Sequence, residues 1–102
     1  MANVASFSHM TSGTIPAASW AAAWFTISNW KGFMQAFPGF MSQRLSVRPA
    51  PNGDVRFHTT VVWADHELLE EWVASEWSAE SLLLSLKPPA YDLTSESFSD
   101  LS

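Results

Sequence analysis

Few side chains in this sequence could move a proton or hold an anion, and they are scattered. The three histidines, His9, His58 and His66, stand far apart. None has a neighbour at ligand spacing such as H-x-x-x-H, so no metal motif is read. The absence of cysteine removes disulfides, thiol chemistry and zinc–thiolate sites. There is no glycine-rich phosphate loop and no nucleophile elbow. Glu67, Glu70, Glu71, Glu76 and Glu80 form the kind of run that solvates a helix face. Cations are scarcer, five Lys and Arg against ten Asp and Glu, for a net charge of −5. Arg44, Arg48 and Arg56 are the one local group, too thin for a phosphate backbone, and nucleic acid is not expected as a partner. Aromatic rings, by contrast, are abundant: six Trp and seven Phe, a density that suits a large core, an interface or a pocket for a flat apolar molecule. The chemistry open to this set is a dry cavity walled by rings, an imidazole as base, and a guanidinium as fixed cation for a phenolate or carboxylate.

The elements that must position these groups fit one domain over residues 1–102, since a chain of this length holds a single core. Charged residues make up 15% where about 25% is usual, which implies that some of the surface is not exposed. Val4 to Met10 reads as a strand and Thr11-Ser12-Gly13-Thr14 as a loop. Pro16 then opens a helix from Ala17 to about Ala36, with Trp20, Trp24, Ile27, Trp30 or Lys31, and Met34 at three- and four-residue spacing. Pro38-Gly39 ends it. Phe40 to Arg48 alternates as a half-buried edge strand. Asn52-Gly53 marks a hairpin, and Val55 to Trp63 is a third strand, apolar at both parities. Asp65 caps a second helix with Leu68, Leu69, Trp72, Val73 and Trp77 as its stripe. Ser75 or Ser78 starts a further helical piece through Leu86. Tyr91 to about Phe98 is a last, weakly patterned strand.

This order is the α+β, ferredoxin-like β-α-β-β-α-β plan with a four-stranded antiparallel sheet. Helices cover one face, and a third strand apolar on both sides needs a second sheet over the other, which predicts a homodimer. With a two-residue turn at Asn52-Gly53, Ala50 faces Val55, Arg44 faces Val61 and Ser42 faces Trp63. That puts Arg44 on the Trp63 face, whereas a turn one residue longer reverses the parity. Trp63, at the end of a central strand, reads either as a pocket wall or as a core aromatic. No basic segment with a long apolar run opens the chain, and the stretch Ala17 to Phe25 is too short to cross a bilayer. A cytoplasmic protein with no membrane contact is expected.

Pro38-Gly39-Phe40 after the first helix, the Asn52-Gly53 hairpin, and Val61-Val62-Trp63-Ala64-Asp65 leading into Leu68-Leu69-Glu70-Glu71-Trp72 resemble the antibiotic biosynthesis monooxygenase-like family, from Trp20 to Leu86. The resemblance implies a dimeric α+β barrel, two sheets face to face with helices outside. It also implies a small, cofactor-independent monooxygenase acting on an aromatic or polycyclic substrate between sheet and helices. Trp63 matches the strand-ending Trp of the family's anthrone oxygenases; Thr59 stands where they have Asn, and Leu69 where they have Tyr. Trp72 matches a helix Trp of the family's heme degraders, but Leu82-Leu83-Leu84 occupies the stretch of their iron-ligating His, so no cofactor is expected. His9, Arg44 and Trp63 are then the catalytic candidates, His9 because the first strand shares its pocket face with the third. Trp24, Phe57, Thr59, Leu69 and Trp72 are the substrate-binding candidates, for a small apolar or aromatic molecule. The missing Asn and Tyr leave a non-catalytic, dimeric ligand-binding barrel as the alternative.

Overall fold

The computed structural model describes residues 3–102. Four strands, β1 (Val4–Ile15), β2 (Phe40–Pro49), β3 (Val55–Trp63) and β4 (Tyr91–Leu101), form one antiparallel sheet in the order β2-β3-β1-β4. Three helices, α1 (Trp20–Met34), α2 (His66–Val73) and α3 (Ala79–Leu84), complete the ferredoxin-like α+β fold. β1 and β3 are central and β2 is an edge, as the alternation of β2 implies.

β1 runs through Thr11–Thr14, which the sequence reads as a loop. Four residues without apolar side chains look like a turn, yet each is paired on both sides or on the β3 side of a central strand, and the ladder replaces the missing side-chain burial. A single 3-10 turn over Ala17–Ser19 leads into α1. The buried stripe of α1 is Ala23, Ile27, Trp30 and Met34. Trp24 falls one position off that stripe and is 59% exposed.

The β2–β3 connection corrects the sequence register. Asn52 and Gly53 do take positive φ, 63° and 78°, but inside a longer loop in which the Ala50 N–H bonds the Asp54 carbonyl at 2.9 Å. Pro49 therefore pairs with Val55, Arg48 with Arg56 and Arg44 with Thr60. The one-residue change moves the β2 side chains from Ser42 to Arg48 to the other face, while a bulge before Ser42 keeps Phe40 beside Trp63. Arg44 lies on the face of His58, Thr60 and Val62, away from Trp63.

Asp65 caps α2, its Oδ1 accepting from the N–H of Glu67 at 2.8 Å and of Leu68 at 3.2 Å. Ser78 caps α3 by accepting from the Ser81 N–H at 3.2 Å. The helices cover one sheet face. There, Phe57, Thr59, Val61 and Trp63 are buried with Ile15, Leu69, Trp72 and Leu83. On the other face Arg56, His58, Thr60 and Val62 of β3 are only half-buried. Among the described residues no helix is long and apolar enough to cross a membrane.

Candidate functional site

The helix-facing layer of the sheet carries the polar atoms that need explaining. Gln43 on β2 pairs with Val61 on β3, and Val61 pairs with His9 on β1. Thr59 and Trp63 flank Val61 along β3. All five side chains share the face that α1 and α2 cover. Thr59 and Trp63 are 0% and 1% exposed. The Thr59 Oγ1, the Trp63 Nε1 and the Gln43 Oε1 are buried with no hydrogen-bond partner among the described residues. An unmet buried polar group costs about 1–3 kcal/mol, so each of the three calls for a partner such as a bound water or ligand. Gln43 is held by its amide Nε2, which donates to the Lys31 carbonyl at 2.8 Å.

Beside this row a cavity of about 270 Å³ opens between α1 and the β2–β3 pair, lined by Trp20, Trp24, Ile27, Lys31, Leu45 and Phe57 among others. Its volume sits just below the roughly 300–1,000 Å³ of ligand pockets. The rings of Trp20 and Trp24 stand 6.0 Å apart at 46°, walling one side. Lys31 supplies a cation. By register Thr59 lies opposite Leu45 and one pleat from Phe57, both of which line the cavity, while Thr59 itself is buried behind them.

Of the sequence candidates, Trp24 and Phe57 line this cavity. Trp63 and Trp72 pack together in the core, ring centres 5.3 Å apart, with Leu69 beside them in the same cluster. Phe37 and Phe40 meet the Trp63 edge at 6.4 and 6.2 Å. Both the Trp30 and the Trp72 indole N–H donate to the Trp77 carbonyl, at 2.8 and 2.9 Å.

His9 is 4% exposed and stands edge-on to Trp72 at 5.6 Å. Its Nδ1 lies 2.7 Å from the Ser97 Oγ and its Nε2 lies 3.0 Å from the Glu80 Oε1. The Thr11 hydroxyl donates to the same Glu80 oxygen at 2.8 Å. Burial pushes the Glu80 carboxyl up, but hydrogen bonds from His9 and Thr11, with the imidazole's charge, outweigh it and hold the carboxyl below its ordinary value. Glu80 is thus a buried-side anchor rather than part of a solvated face. Sequence reasoning missed it, along with Ser97, Lys31 and Gln43. Glu80 stands 71 residues from His9 and Ser97 stands 88, and no local pattern joins such distant positions. Gln43 had a signal: the parity of β2, once the hairpin loop is counted one residue longer.

No family model matches this sequence, and no curated protein does. Among solved structures the chain is similar to a mutant form of SnoaB, a cofactor-independent oxygenase from Streptomyces nogalater, at 16% identity and a TM-score of 0.68, over 94% of this chain and 93% of that one. A second similar structure is an antibiotic biosynthesis monooxygenase, 14% identical with a TM-score of 0.73, over 94% and 99% of the two chains. A third, a protein of Shewanella oneidensis, is 10% identical with a TM-score of 0.74, over 99% and 96%.

Proposed function

From a chain that has the fold of the antibiotic biosynthesis monooxygenase-like structures, we propose a small cofactor-independent oxygenase that takes an electron-rich aromatic between α1 and the sheet. The observation that carries this reading is the row of unpaired polar atoms at Gln43, Thr59 and Trp63 beside an aromatic-walled cavity. Trp20, Trp24 and Phe57 would stack on a flat ring. Lys31 would stabilise its phenolate. The unpaired Thr59 hydroxyl, on the residue opposite Leu45 of the cavity wall, would be a donor for a substrate carbonyl. Such a substrate needs no added reductant. Its anion passes an electron to dioxygen, the radicals combine at carbon, and the hydroperoxide loses water. One oxygen atom stays in the product, the other leaves as water, and the methylene carbon becomes a carbonyl.

The test uses 1,8-dihydroxyanthrone and oxygen-18 gas. The expected result is oxidation faster than in buffer, one labelled oxygen per product, and no loss of rate with a chelator. Trp24→Ala and Lys31→Ala should each slow turnover about tenfold or more. A folded protein that neither speeds oxidation nor changes Trp24 emission on titration would sink the reading. The non-catalytic binding alternative has its own support: Thr59, Trp63 and Trp72 are closed over by the core, and the cavity wall includes no histidine or carboxylate. Emission quenched by the anthrone without accelerated oxidation is the outcome that favours it.

A further inference from the structure

We infer that Ser97, His9 and Glu80 form a second reactive centre, separate from the cavity, in which Ser97 is a nucleophile for esters with a small acyl group and a good leaving group. The tautomer follows from the partners. A carboxylate only accepts hydrogen bonds, so a neutral His9 must carry its proton on Nε2, facing the Glu80 Oε1 at 3.0 Å. Its Nδ1 is then a lone pair, and the Ser97 hydroxyl, 2.7 Å away, donates into it. A hydroxyl bonded to an imidazole whose far nitrogen is fixed by a carboxylate is the arrangement that activates serine, whatever the order along the chain. The carboxylate is itself held, by the Thr11 hydroxyl at 2.8 Å.

The rest of the setting suits attack on an external ester. His9 is 4% exposed and screened from competing water, while Ser97 is exposed. β4 is an edge strand, so its outward N–H groups have no sheet partner among the described residues and can meet a developing oxyanion. An exposed serine on an open strand edge suits a small acyl group, and the leaving group must be an activated alcohol such as a phenol. In the step itself the Ser97 Oγ bonds to the carbonyl carbon as its proton moves to the His9 Nδ1. The carbon–oxygen bond to the phenol breaks and the phenol takes that proton. Water then adds to the acyl-serine, again giving a proton to His9, and the acid departs as the Ser97 oxygen is reprotonated.

The probes are a fluorophosphonate and 4-nitrophenyl acetate, with the full chain. The expected result is one phosphonyl group per chain, placed on Ser97 by peptide mass, and release of 4-nitrophenol above buffer. Ser97→Ala should carry no label and lose at least about 100-fold in rate. His9 is buried and its replacement risks the fold, so Glu80→Gln carries the second test. A glutamine amide can donate to Nε2 and move the imidazole proton to Nδ1, where it cannot receive from serine. Labelling should then fall about 10- to 100-fold with near-UV dichroism unchanged, which a merely structural Glu80 would not produce. A folded wild-type chain whose mass is unchanged by excess fluorophosphonate overturns the inference, as does label carried equally by Ser97→Ala.

Discussion

Trp63 is 1% exposed yet its indole nitrogen meets no acceptor, which makes the choice of replacement informative. Trp63→Phe removes volume together with an unmet donor, so the two effects offset and the loss should stay below about 1.5 kcal/mol. Trp63→Ala leaves a cavity against Phe37, Phe40 and Trp72 and should cost roughly 3–5 kcal/mol. Urea denaturation reads both; a Trp63→Ala loss near 1 kcal/mol would mean that the side chain borders open space rather than core. Glu80 gives a pH signature. Its folded value lies below the ordinary 4.5, so the stability it contributes is fully present above that value and lost as pH falls through the lower folded one. Thermal melts taken from neutral pH downward should therefore show an acid-side loss that is smaller in Glu80→Gln; equal losses would show that other carboxyls carry it. At this scale the sequence was legible where a residue's face follows from its own strand, as for His9 and Trp63. It was not where the face depends on counting through a loop, as for Arg44, or on a partner across the fold, as for Glu80.

Helix starts were legible because caps are local chemistry: Asp65 and Ser78 each bond N–H groups two or three residues on. Asp65→Ala should cost about 0.5–2 kcal/mol by denaturation, and Asp65→Asn much less; an equal loss for both would point to charge rather than capping. The turn before β2 is fixed more tightly. Gly39 has φ +81°, and a Cβ there would lie 2.6 Å from the Leu68 Cδ1. Gly39→Ala therefore combines left-handed strain with overlap and should destabilise by about 1–3 kcal/mol, while Leu68→Ala introduced with it should recover the overlap part. A neutral Gly39→Ala would mean that the turn relaxes freely. Thr11–Thr14 shows the limit of local signals. Thr and Ser beside Gly read as a loop in isolation, and become strand because β1 lies between two others.

The molecule measures 48 × 25 × 18 Å, and its short axis has room for one helix layer on one sheet. The sheet's far side is thus left to Met10, Val62 and Phe98 among Arg44, His58 and Glu96, a mixed surface rather than the uniformly apolar one that the third strand suggested. A second copy laid sheet to sheet would cover the apolar part. Sedimentation at micromolar concentration should show about twice the 11.3 kDa chain mass, and Val62→Lys should shift it toward the monomer. A single-chain species in the parent protein removes the proposal. The distribution of tryptophan has an optical consequence. Trp63 and Trp72 lie 5.3 Å apart and Trp72 and Trp30 lie 6.4 Å apart, close enough for their electronic transitions to couple, so the near-ultraviolet circular dichroism should report chiefly on the core. Trp24, largely in solvent at the cavity wall, should dominate the red edge of the emission. One unlabelled sample thereby carries two separable signals, one for unfolding and one for occupancy.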